Sequence, residues 1–131
     1  MIIRLILGDQ LNEQHSWFKS INEDVVYVIM EMKQETDYVK HHIQKVVAFF
    51  SAMRHFNKRL NKLGHKTHYI ALDDRSNKQH LSENLKFVLN HYNATKFEYQ
   101  LPDEFRLDKQ LKEFTSSLKL ETSAVDSEHF M

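Results

Sequence analysis

Short apolar runs alternate along this chain with longer stretches whose apolar residues recur at helical spacing. Ile2 to Leu7 is the first run; it ends at Gly8-Asp9 and suits a parallel strand buried on both faces, followed by a tight turn. Val25 to Met30 is the second and ends at Glu31. Between them, Trp17 and Phe18 are placed to anchor a helical turn or two within Glu13 to Ile21. Thr67 to Leu72 (closed by Asp73-Asp74), Lys96 to Leu101 and Leu118 to Glu121 read as the third, fourth and fifth strands. A long helix capped at Thr36 or Asp37 and stopped by Gly64, a helix from about Ser82 to Tyr92, and a helix opened by Pro102-Asp103-Glu104 fill the intervals. Strands alternating with helices predict an α/β fold, a Rossmann-like open parallel sheet of about five strands with helices on both faces. Residues 1–131 are read as one domain, of a size that buries roughly two thirds of the surface its unfolded chain exposes.

The long helix carries more than a core face. At roughly 100° per residue, Glu35, Tyr38, His42, Lys45 and Phe49 fall within an arc of about 80°, beside the core-facing set Val39, Ile43, Val46, Phe50 and Met53. Such a flank offers a carboxylate, a phenol, an imidazole, an ammonium and an aromatic ring to a ligand. The competing structural reading is that Tyr, His and Lys at the margin of a buried face run their apolar stems along it and keep their tips wet. Open parallel sheets bind ligands beyond the carboxyl ends of their strands, where Gly8-Asp9-Gln10, Glu31 and Asp73-Asp74 are expected. The candidate site is therefore Asp9, Gln10, Glu31, Glu35, Tyr38, His41, His42, Lys45 and Phe49. Asp37 and His41, four apart on a helix, project together, yet a closed zinc site needs four ligands, so no metal is assigned.

Composition narrows the classes. Eighteen basic residues balance eighteen acidic ones, so the chain as a whole lacks the electrostatic footprint of a nucleic-acid binder. With no cysteine it has no disulfide scaffold, no thiolate nucleophile and no cysteine-ligated cluster of its own. No apolar run approaches the roughly 18 residues that span a bilayer, and Ile2 to Leu7 is too short for a signal peptide, so a cytoplasmic protein without a membrane partner is expected. Neither G-x-G-x-x-G nor G-x-x-x-x-G-K-[ST] is present. No Ser/His/Asp set is indicated by spacing, and His15, His55 and His91 are read as surface or packing residues.

Leu5-Ile6-Leu7-Gly8-Asp9-Gln10-Leu11, Tyr38-Val39 with His41-His42, Phe50-Ser51-Ala52-Met53-Arg54-His55-Phe56, Leu72-Asp73-Asp74 and Pro102-Asp103-Glu104-Phe105-Arg106 resemble, in that order, the amino-terminal domain of prokaryotic photolyase-related proteins. This is the branch of the photolyase/cryptochrome superfamily that includes bacterial 6-4 photolyases with an iron-sulfur cluster. The resemblance implies an antenna domain of a light-dependent DNA repair flavoprotein, holding a chromophore of the 6,7-dimethyl-8-ribityllumazine type. It also implies that FAD and a 4Fe-4S cluster belong to a helical domain absent from these residues. The implied partners are that helical domain and, through the parent protein only, damaged DNA. The chain by itself is then no enzyme, and the parent is a DNA photolyase. Phe49 stands where the resemblance implies a smaller aliphatic residue, so it either stacks on the chromophore or fills its pocket. The same domain in a cryptochrome-like photoreceptor, and a stand-alone nucleotide-binding or interaction module, are the alternatives.

Overall fold

A computed structural model describes residues 1–8, 10–32, 43–102 and 105–126. Five strands, β1 (Ile2–Ile6), β2 (Val25–Met30), β3 (Lys66–Ile70), β4 (Lys96–Gln100) and β5 (Glu121–Val125), form one all-parallel sheet in the order β3-β2-β1-β4-β5. The helices are α1 (Ile43–Leu63), α2 (Leu81–His91) and α3 (Phe105–Ser116), and a 3-10 turn spans Ser16–Phe18. Right-handed crossovers divide them between the faces: the steps from β1 out to β3 run over one face, and those back toward β5 over the other.

β1, β2 and β3 feed both cores by alternation. Val25, Tyr27 and Ile29 of β2 join Trp17, Phe18, Phe50, Met53, Phe56 and Leu60 on the α1 face. Val26, Val28 and Met30 meet Leu85, Val88, Leu111 and Phe114 on the α2/α3 face. All six residues of β2 are consequently buried, as the continuous apolar run predicts for a central parallel strand.

The predicted strands hold to within two residues except the last. The fifth strand is Glu121–Val125 rather than Leu118 to Glu121. An edge strand pairs on one side only and needs no continuous apolar run, while Leu118 and Leu120 in the preceding connection pack on the α2/α3 core. Gly64 ends α1 as predicted, at φ 101°, with its N–H on Asn61 O (3.1 Å) and the His65 N–H on Leu60 O (3.0 Å). Asn93 does the same for α2 at φ 50°, with the Ala94 N–H on Leu89 O at 2.9 Å. The start of the long helix, with its proposed caps Thr36 and Asp37 and core residue Val39, lies outside the described residues. No helix among the described residues is long and apolar enough to cross a membrane.

Candidate functional site at the carboxyl edge of the sheet

Strand order reverses between β1 and β4, so the segments leaving those strands diverge above the sheet. Gln10 ties them together. Its amide oxygen accepts from the Leu7 N–H (3.1 Å) and its amide nitrogen donates to Gln100 O (3.1 Å), with the side chain buried. Gly8 leaves the backbone bare beside it. A Cβ there would stand 2.3 Å from Cζ of Phe49, so the aromatic ring of α1 rests directly on the glycine. Phe49 is partly buried and tilts against Phe50 at 5.9 Å between centroids.

One strand over, Glu31 follows β2 with a fully buried carboxylate. Arg54 of α1 grips it bidentately, Nε to Oε2 at 2.6 Å and Nη2 to Oε1 at 3.0 Å. The Tyr69 hydroxyl and the Leu72 N–H also donate to it. Burial alone would raise the carboxyl; Arg54, Tyr69 and the Leu72 amide together outweigh it and hold Glu31 below the usual range. Tyr69 is driven the other way, by burial and by the adjacent carboxylate. Asn77 completes the cluster by donating to Glu31 O (2.6 Å) and Ala71 O (3.0 Å). The arrangement stores a charge but exposes none of it: both carboxylate oxygens are taken by protein donors. Asp73 and Asp74 are exposed beyond β3, where Asp74 caps its own turn by accepting from the N–H and hydroxyl of Ser76.

Of the sequence-predicted site residues, the structure thus brings Gln10, Glu31 and Phe49 to the same edge of the sheet. Asp9, Glu35, Tyr38, His41 and His42 lie outside the described residues, as does the side chain of Lys45 in the first turn of α1. Among the described residues no group of three or more His, Asp or Glu side chains is arranged to hold a metal. His15 is a packing residue: Nδ1 accepts from the Trp17 N–H at 3.0 Å, which leaves Nε2 as donor to Asp126 O at 2.7 Å. This latch fixes the β1–β2 connection to the residue just past β5.

Sequence reasoning passed over two partnerships. Arg4, a cation inside an apolar strand, pairs with Glu98 at 2.9 Å, donates to the Tyr27 hydroxyl at 3.0 Å and sits 5.0 Å over the Trp17 ring. The need for a partner was legible, since a charge at the centre of a buried strand requires one, but it is the β1/β4 register that sets Glu98 opposite Arg4. Arg54 and Tyr69 around Glu31 follow from the same demand.

Two comparisons bear on the chain as a whole. The family model of the deoxyribodipyrimidine photo-lyase-related protein matches residues 4–131. A (6-4) photolyase of Agrobacterium fabrum is 27% identical over 129 residues, which cover 97% of this chain and 25% of that protein. The chain therefore spans about a quarter of the length of this relative.

Proposed function

Since the chain belongs to the deoxyribodipyrimidine photo-lyase-related protein family, we propose that it is the amino-terminal, antenna-binding domain of a light-dependent DNA repair flavoprotein. The observation that carries this reading is the carboxyl edge itself: at the reversal of strand order the backbone is bare at Gly8, an aromatic ring faces it, and the buried carboxamide of Gln10 bonds to the adjacent Leu7. A flat heterocycle with a polyhydroxylated chain asks for such a mixture. Phe49 and Tyr38 would supply the wall for 6,7-dimethyl-8-ribityllumazine, Asp9 and Glu35 would meet ring nitrogens or ribityl hydroxyls, and His42 and Lys45 would donate to ring carbonyls. Gln10 and Glu31 would support the edge rather than touch the ligand, a reading supported by the protein partners their polar atoms already have. When bound, the chromophore would absorb light and pass its excitation to a flavin. FAD, the 4Fe-4S cluster and contact with damaged DNA are assigned to the remainder of the parent, and repair is not expected of these 131 residues alone.

The test is equilibrium binding of 6,7-dimethyl-8-ribityllumazine, read by its absorption and fluorescence. Loss of a charged hydrogen bond costs about 1.5 to 3 kcal/mol, so Glu35→Ala is expected to weaken binding about tenfold or more. Lys40→Ala, on the opposite side of the predicted helix, is expected to leave it unchanged. Equal occupancy in the wild type and both variants would overturn the reading.

A further inference from the structure

Gln100 is the last residue of β4, and its side chain projects on the α1 face beside Val125, its register partner in β5. Only 1% of the residue is exposed, yet neither Nε2 nor Oε1 has a hydrogen-bond partner among the described residues. Its backbone carbonyl is occupied by Gln10 while its carboxamide is empty. Other buried atoms without partners, such as Asn57 Oδ1, His65 Nε2 and Asp108 Oδ1, leave one atom of a side chain unmet; Gln100 leaves both its donor and its acceptor. Burying polar groups unpaired opposes folding, and a strand position flanked by Ile6 and Val125 would accept a methionine or leucine without that cost. The glutamine therefore demands a reason, and its place at the carboxyl end of β4, where strand order reverses, supplies one.

We propose that the Gln100 carboxamide reads the lactam edge of the ligand, an inference that rests on the antenna reading above. A primary amide offers one acceptor and one donor about 2.3 Å apart in a plane, which is matched by an adjacent N–H and C=O on a neutral ring. A metal ion or a phosphate would use only one half of it. The pyrimidinedione edge of a ribityllumazine has both groups. Gln10, by fixing the Gln100 backbone, is the positioning residue that holds the amide at the edge.

The experiment measures binding of 6,7-dimethyl-8-ribityllumazine and of its N3-methylated analogue to the full chain, to Gln100→Met and to the exposed control Lys86→Ala, together with the thermal midpoint of each protein. The wild type and Lys86→Ala are expected to prefer the unmethylated compound about tenfold or more, equivalent to about 1.4 kcal/mol. Gln100→Met is expected to bind both compounds equally and to melt no lower than the wild type, since it removes an amide that the fold leaves unpaired. Equal binding of the two compounds by the wild type, or an undiminished preference in Gln100→Met, overturns the inference and leaves the antenna reading standing. A lower midpoint in Gln100→Met overturns it too, because the amide would then be partnered within the fold. Absence of wild-type binding to either compound at about 100 μM overturns the antenna reading itself, and the inference with it. The methylated analogue keeps the test decisive on the wild-type chain even where the variant fails to fold.

Discussion

Where α2 and α3 cover the sheet, the strands contribute hydrocarbon and ring faces: Ile3 and Leu5, Val26 and Val28, Phe97 and Tyr99. On the α1 face the same strands contribute Arg4, Tyr27, Glu98 and Gln100 in alternation with them. The first face rests mainly on close packing, with the buried Asn84 accepting from the Lys78 N–H and donating to Asn77, and His68 paired with Tyr92. The second is organised by partners, with Arg4 on Glu98 and Tyr27, Glu31 on Arg54, and His15 on Asp126. Polar groups in a core constrain geometry at little net gain in stability, so on this face partners rather than packing alone fix how the segments sit. Gln100 is the amide on that face whose donor and acceptor both lack a partner among the described residues.

The comparison can be broken most directly from the smooth side. Leu111 is fully buried, and Leu111→Ala is expected to cost about 2 to 5 kcal/mol and to lower the thermal midpoint by roughly 10 °C or more. Ligand affinity in the folded fraction should not change. A loss of affinity with little loss of stability would mean that the α2/α3 face is not merely packing.

Arg54→Ala sharpens the contrast from the other side. It leaves the buried Glu31 carboxylate with Tyr69 and the Leu72 amide alone. Because Arg54 is more than half exposed, with 57% of its side chain accessible, the loss is expected near about 1 to 2 kcal/mol. In the wild type Glu31 titrates below its ordinary 4.5, so its contribution is complete above that pH and is lost as pH falls through the folded value. In Arg54→Ala the upward push of burial is opposed less, and acid unfolding should begin at higher pH. Urea midpoints measured between pH 3 and 7 check this; superimposable acid limbs would show that Arg54 is not what holds the charge.

The smallest effect concerns two histidines of the β3 segment. Burial lowers both His65 and His68, the latter with help from His91 and against Asp74. Their neutral forms are favoured in the fold, so the unfolded chain takes up protons first as pH drops below about 6.5, and stability falls there. The urea midpoint should decline from pH 7.5 to 5.5, and His68→Gln should flatten part of that decline. An unchanged slope in His68→Gln would place the titration elsewhere.

Much of this was legible along the chain. Ile2 to Leu7 and Val25 to Met30 announce central parallel strands because a strand buried on both faces has no polar side to alternate. Gly64 announces a helix end because it relieves the left-handed conformation there. Gln10 and Glu31 were placed at one edge by topology, since residues just past parallel strands gather where the strands end, and Phe49 by its place on the polar flank of the long helix. What could not be read were the partners. Glu31 meets Arg54 across 23 residues and Arg4 meets Glu98 across 94, and no local pattern encodes which cation reaches which carboxylate.

Gln100 shows the division most clearly. Phe97, Glu98, Tyr99 and Gln100 alternate apolar and polar, which marks a strand but does not say what meets its polar side. The fold buries both. Local sequence determined the elements, their order and the end of the sheet where chemistry gathers, because periodicity and caps act over a few residues. Tertiary structure alone decided which polar groups were satisfied and which was left with its donor and acceptor unmet, because burial and pairing depend on segments brought together from distant parts of the chain.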